Sequence, residues 1–205
     1  MHQKLSYIKK LKYYGIILFF LLTATKNFSQ NNEYTFEKLT VKDGLSHNNV
    51  YAIYQDQLGF LWFGTQDGLN KYDGYEFSIY RHEPGNSNSL STGNFGKIYQ
   101  DSTGIFWFGT FGGGIDKYDP KTNTFTNLSN KIDDPTSLSN NQITFIFEDS
   151  YGEIWVGTYS GGLCRYNEQK DNFDCFFADN NFGDISNNTI RVIFQDSKGN
   201  IFIGT

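Results

Sequence analysis

Gly59-Phe60-Leu61-Trp62-Phe63-Gly64-Thr65 returns as Gly104-Ile105-Phe106-Trp107-Phe108-Gly109-Thr110, as Gly152-Glu153-Ile154-Trp155-Val156-Gly157-Thr158 and as Gly199-Asn200-Ile201-Phe202-Ile203-Gly204-Thr205. Three residues before each first glycine stands an aspartate, and these four (Asp56, Asp101, Asp149, Asp196) are 45, 48 and 47 residues apart. A period of this length, made of short apolar runs and glycine-rich turns, belongs to β-propeller blades of four strands each. Helical repeats of similar length would space their apolar residues by three and four, and that spacing does not occur.

Working outward, each unit opens on Leu45-Ser46, Leu90-Ser91, Leu138-Ser139 or Ile185-Ser186. After the quoted run, three units continue as Gly68-Leu69-Asn70-Lys71-Tyr72-Asp73, Gly114-Ile115-Asp116-Lys117-Tyr118-Asp119 and Gly162-Leu163-Cys164-Arg165-Tyr166-Asn167. The first unit predicts strand a over 50–55, b over 60–64, c over 69–72 and d over 76–80. Apolar residues fall on both parities of a and b, as a sheet packed on both faces requires. Asp at the first and Gly at the fourth position of each a–b connection suit a type I turn, which argues against a ring of metal-binding aspartates. Gly64, Gly109, Gly157 and Gly204 follow the bulky residues of strand b, where a missing side chain admits a neighbouring blade.

The expected fold is therefore all-β, a propeller of four-stranded antiparallel blades with about three and a half present over residues 31–205. Its repeats begin near 45, 90, 138 and 185, the last truncated. Residues 34–40 align with an outermost strand of the closing type, whose a, b and c partners would follow Thr205. On that reading the chain is a fragment with unpaired edges, expected to aggregate or stay partly unfolded alone.

Residues 1–30 carry Lys4, Lys9, Lys10 and Lys12, then an apolar run from Tyr13 to Leu22, then a polar stretch ending near Ser29. The run is about half the length of a membrane span, so the order reads as a secretory signal peptide cut near Ser29. These 30 residues hold five of the 17 Lys and Arg and none of the 22 Asp and Glu, so the remainder has 12 against 22, a net charge of −10. Such an acidic body repels phosphate backbones and anionic lipid heads, which excludes nucleic acid as a partner.

Most aromatics recur at one blade position and mark core, so aromatic content is no sign of a sugar site. Residues that break the repeat in loops on one rim are better ligand candidates: Gln66, Asp67, Phe111, Tyr159 and Ser160, with Phe111 and Tyr159 foremost. The competing reading is that both only cap the blade edge. His47 and His82 lie in the same kind of loop but lack a partner motif, so no metal site is expected. The Gly109–Gly114 stretch looks like a phosphate loop, yet no Lys-Ser or Lys-Thr follows and it joins two strands. No nucleophile elbow or isolated carboxylate pair appears, so no catalytic residue and no cofactor is assigned to these residues.

The only cysteines are Cys164 on strand c and Cys175 on strand d of the third unit. Setting Tyr166 opposite Phe173, with a four-residue loop over 168–171, puts Cys164 opposite Cys175. An exported chain meets an oxidising compartment, so either a disulfide or two small buried hydrophobes fits this pair.

The unit Leu-Ser-x-Asn, then Ile-x-x-Asp-x-x-Gly-x-x-Trp-x-Gly-Thr, then Gly-Leu-x-x-Tyr-Asp resembles the repeats of periplasmic sensor propellers in hybrid two-component regulators. The fourth copy departs from it with Phe202 in place of Trp. The resemblance implies an extracytoplasmic ligand-sensing module of a regulator of the histidine kinase type, periplasmic and anchored through a longer parent to the inner membrane. It implies a small-molecule ligand, with oligosaccharide fragments the class best associated with the family. The remainder of the same polypeptide and a homodimer in the full-length protein are the other implied partners. A secreted propeller enzyme acting on carbohydrate and a propeller used only as a protein-binding platform are the alternatives.

Overall fold

The computed structural model describes residues 34–179 and 183–205; the expected signal peptide lies outside them. Three sheets have four strands in chain order and a fourth has two. Blade 1 is β1 (Val50–Gln55), β2 (Leu61–Thr65), β3 (Gly68–Tyr72) and β4 (Phe77–Tyr80). Blade 2 is β5 (Phe95–Gln100), β6 (Phe106–Thr110), β7 (Ile115–Asp119) and β8 (Thr124–Leu128). Blade 3 is β9 (Ile143–Glu148), β10 (Ile154–Thr158), β11 (Leu163–Asn167) and β12 (Asn172–Phe176), and β13 (Val192–Gln195) with β14 (Ile201–Gly204) begins blade 4. All ladders are antiparallel, so a–b and c–d turns share one rim while b–c turns and the links between blades share the other.

The a–b turns close as their residues dictate. Gly59 N–H donates to Asp56 O at 3.0 Å, and Gly104, Gly152 and Gly199 repeat the bond at 3.0 to 3.1 Å with positive φ. The aspartate does more than form the turn. Asp56 Oδ1 accepts from the N–H groups of Leu58 and Phe60, and Oδ2 accepts the indole N–H of Trp62 at 2.8 Å. Asp101 does the same with Trp107 at 2.8 Å and Asp149 with Trp155 at 2.9 Å. Each tryptophan is thus aimed by its own turn.

The core sits between blades rather than within them. Trp62, Leu69, Phe95, Phe106, Phe108 and Tyr118 join blades 1 and 2, and Trp107, Ile143, Ile146, Val156, Tyr166 and Phe173 join blades 2 and 3. Every residue of β6 is buried, whereas β1, with no blade on its outer side among the described residues, alternates half-buried and exposed. The strand b glycines hold these contacts close. A Cβ on Gly64 would lie 3.0 Å from Phe95 Cβ, and on Gly109 or Gly157 2.7 Å from Ile143 or Ile190 of the next blade.

Residues 34–40 form no strand among the described residues, and Tyr34 and Phe36 are 81% and 95% exposed. A strand needs a neighbour to bond with, and among the described residues none is offered to this stretch. The first ordered turn follows it, a single 3₁₀ turn over Val41–Asp43 closed by a Thr40/Asp43 capping box. Among the described residues no helix is long and apolar enough to cross a membrane.

Candidate functional site

The five rim residues occupy equivalent b–c turns, and their neighbours hold them. Gln66 receives the Asn49 side-chain amide at 2.9 Å and donates its own N–H to Asn49 O. Asp67 pairs with Arg81 at 3.2 Å, an exposed pair. Phe111 forms a β-bridge with Gln142, rests on the bare backbone of Gly96 and meets Tyr51 edge-on at 5.8 Å between ring centres. Tyr159 donates its N–H to Gln142 O and leaves its ring 55% exposed, and Ser160 follows in the left-handed region at φ 64°. The structure brings Phe111 to Tyr51 and places Tyr159 on the same rim, one blade along. His47 Nδ1 accepts the Asn49 N–H, and His82 Nδ1 donates to Leu90 O at 2.6 Å. Among the described residues no cluster could hold a metal ion.

Cys164 and Cys175 stand opposite each other, beside the Tyr166 and Phe173 pair, and are joined as a disulfide. Their place in the repeat explains what the bond replaces. The residue after the glycine–aliphatic pair of strand c (Asn70, Asp116, Cys164) is buried in each complete blade and faces the Leu-Ser that opens it. Asn70 accepts the Ser46 N–H at 2.8 Å and donates to Ser46 Oγ at 2.8 Å. Asp116 accepts from Ser91 N–H and Oγ and from Asn127 Nδ2, and burial pushes its carboxyl up to about 6 against the pull of those bonds. In blade 3 the position is Cys164, with Ser139 Oγ 3.0 Å from its sulfur.

A concave feature lies on the opposite rim, between blades 2 and 3, where the a–b turns at 101–104 and 149–152 meet the c–d turn at 167–169. It is a groove of about 620 Å³ lined by Asp101, Ser102, Trp107, Lys117, Arg165 and Tyr166 among others. Lys117 is part of its lining. Its ammonium lies 5.3 Å from the Trp107 ring and 4.9 Å from the Tyr166 ring and donates to Tyr166 Oη at 3.0 Å. Tyr166 donates in turn to Asp171, and burial, then that carboxylate, raises its hydroxyl above the ordinary tyrosine range. Among the described residues the ion pairs are Arg81 with Asp67 and Arg165 with Glu153 and Asp174, so the Lys117 ammonium has no carboxylate partner. A second hollow of about 390 Å³ shares Lys117, Tyr166 and Glu168.

Sequence reasoning placed the candidates on the other rim and passed over this groove. The available signal was the cation that recurs two residues into each strand c from the glycine–aliphatic pair: Lys71, Lys117 and Arg165. All three lie over the strand b tryptophan of their own blade. They differ in their surroundings. Lys71 is covered by Phe60 at 3.8 Å and Arg165 is neutralised by two acids, which leaves Lys117 facing open space.

Blades with inter-blade cores, Gly-Thr strand ends and Asp-capped tryptophans define a β-propeller repeat array. Residues 44–67, 89–112, 137–160 and 184–205 match the family described as Two component regulator propeller, and these four segments are repeats of that family. A histidine kinase, Histidine kinase P4 of Formosa agariphila, is 46% identical over 78 residues, which is 38% of this chain and 6% of that protein. The extracellular domain assigned to the hybrid two component system BT3049 of B. thetaiotaomicron superposes with a TM-score of 0.74 at 28% identity, over 82% of this chain and 23% of that one. The corresponding domain of BT4673 from the same organism gives 0.67 at 26% identity, over 83% and 24%. The chain thus spans less than a quarter of these relatives.

Proposed function

We propose that this chain is the ligand-sensing part of a two-component regulator, exported from the cytoplasm and linked in a longer parent to a histidine kinase at the inner membrane. The observation that carries the reading is four repeats of one regulator family in a chain whose structural neighbours are extracellular domains of two-component systems. The ligand is a small polar molecule, with oligosaccharide fragments the class the family suggests, and the groove between blades 2 and 3 is its site. The volume is in the range of small-molecule sites, and the aromatic walls with an unpaired ammonium supply stacking and anion recognition together. A ligand that bridges two blades stabilises one relative placement of them, which is the differential affinity a sensor needs.

Binding, not catalysis, is the reading preferred here, because three of the acids that line the groove are already committed. Glu148 accepts from Ser102 N–H and Oγ, Glu153 pairs with Arg165, and Asp101 holds its turn and Trp107. The test is a thermal-shift screen of the purified chain against neutral and acidic oligosaccharides from partially hydrolysed polysaccharides. Stabilisation by a subset that saturates with concentration supports the reading, and no shift across both classes contradicts it.

A further inference from the structure

The three complete blades carry the same parts at the rim that holds the groove, and one side chain sets what those parts can do. In each blade the residue after the turn glycine is pinned by its backbone to the turn aspartate. Phe60, Ile105 and Glu153 donate their N–H groups to Oδ1 of Asp56, Asp101 and Asp149, and their carbonyls accept the aspartates' N–H groups, all at 2.9 to 3.0 Å. Their side chains therefore leave equivalent points of the blade. Two residues on comes the strand b tryptophan, and its partner on strand c is a cation that lies over it, at 5.6, 5.3 and 6.0 Å for Lys71, Lys117 and Arg165.

What happens to that cation follows from the pinned residue. Phe60 lays its ring 3.8 Å from the Lys71 ammonium, and Glu153 takes Arg165 at 3.2 Å. Ile105 does neither. It is half-buried against the core shared by blades 2 and 3 and lines the groove. An ammonium has three donors, and Lys117 gives one to Tyr166 Oη, which leaves two for a ligand oxygen. The facing wall recurs as well. Tyr118 meets Trp62 across the first interface as Tyr166 meets Trp107 across the second, at 6.1 and 4.9 Å, and its hydroxyl donates to Asn123 as that of Tyr166 does to Asp171.

We propose that Ile105 is the specificity-determining residue of the groove, because it leaves the Lys117 ammonium to an oxygen of the ligand, and that Phe60 holds an equivalent site between blades 1 and 2 shut. The inference rests on the reading of the groove as the ligand site and adds a second, closed copy of it. A ligand oxygen reaches Lys117 beside Ile105 but has to displace the Phe60 ring to reach Lys71. Two clefts with the same cation are thereby given different affinities for one ligand.

Two readouts separate the role of the residue from that of the ligand. Trace acetylation with acetic anhydride, read by mass spectrometry against the exposed Lys131, reports how each ammonium is covered. Ile105→Phe should lower the labelling of Lys117 by about 2- to 5-fold, and Phe60→Ile should raise that of Lys71 by a similar factor, the worth of an exposed cation–π contact. Titration with the neutral and acidic oligosaccharides of the thermal-shift screen reports the site itself. The class that binds the parent should bind at one site per chain, lose about tenfold or more in affinity in Ile105→Phe, and find a second site in Phe60→Ile. Where Ile105→Phe loses its β-sheet circular dichroism, Ile105→Glu, which copies the Glu153 position of blade 3, replaces it. Binding in the parent with labelling unchanged in both variants, with affinity unchanged in a folded variant at Ile105, or with no second site in a folded Phe60→Ile chain overturns this inference and leaves the ligand reading standing. A parent that binds neither class overturns both.

Discussion

Asn200 Nδ2 donates to Asp196 Oδ2 at 2.9 Å, at the oxygen that takes the indole N–H of Trp62, Trp107 or Trp155 in the other three repeats. Phe202 has no N–H to offer, and Asn200, four residues after the aspartate, supplies the missing donor. The repeat therefore requires a second-oxygen donor more strictly than it requires tryptophan. Trp107→Phe should orphan a buried carboxylate oxygen and cost about 1–3 kcal/mol. Adding Ile105→Asn, which copies the fourth repeat, should recover part of that loss. Urea melts of the parent, the single and the double variant check this, and a double variant no more stable than Trp107→Phe would contradict it.

Asp116 offers a prediction with a defined sign. Its folded-state carboxyl is pushed up to about 6, above the unfolded value near 3.8, so the fold favours the neutral acid. The stability this supplies is complete below the unfolded value and is lost as pH rises through about 6. The gap amounts to roughly 3 kcal/mol at most. Asp116→Asn reproduces the Asn70 arrangement of blade 1 and should be more stable than the parent at pH 7.5, with the advantage shrinking toward pH 4. An advantage that is unchanged or larger at pH 4 would refute the assignment.

The Cys164–Cys175 bond joins neighbouring strands across a short loop, with a sequence separation of 11. Closing so short a loop yields about 3 kcal/mol or less. Reduction, or Cys164→Ala with Cys175→Ala, should lower the denaturation midpoint by that order and leave the sheet signal intact at low temperature. Thiol titration of the chain purified without reductant, under denaturing conditions, should find no free thiol, and two free thiols would contradict the bond.

The fold was legible because each structural requirement repeats in the chain. Asp-x-x-Gly turns, strand b glycines and two-sided apolar strands appear four times, and β1 begins and ends where the pattern places it. The hairpin register of blade 3 was legible too, since a four-residue loop and the Tyr166/Phe173 pair leave Cys164 facing Cys175. What periodicity could not show were the side-chain contacts within and between repeats. The Asp101–Trp107 bond links two residues each of which already had a sufficient local explanation. The groove at Lys117 arises from what its neighbours fail to do, since Ile105 lacks the ring of Phe60 and the charge of Glu153. Residues 34–40 show no strand among the described residues, since pairing depends on a partner and pattern alone does not supply one.

The two rims make opposite forecasts for substitution. Phe111→Ala and Tyr159→Ala remove half-exposed rings and should leave the melt close to that of the parent, whereas Trp107→Ala removes a buried aromatic capped by Asp101 and should cost about 3–5 kcal/mol. Thermal melts of the three variants decide this, and early melting of the first two would make their loops structural.

The most direct test is an isothermal titration of the purified chain with whichever oligosaccharide class stabilises it in the thermal-shift screen, repeated on Lys117→Ala and on Phe111→Ala. Binding through the groove predicts saturable heat in the parent, heat retained in Phe111→Ala and at least a tenfold loss of affinity, roughly 1.4 kcal/mol, in a folded Lys117→Ala. Unchanged affinity in Lys117→Ala with loss in Phe111→Ala would move the site to the opposite rim and contradict the account.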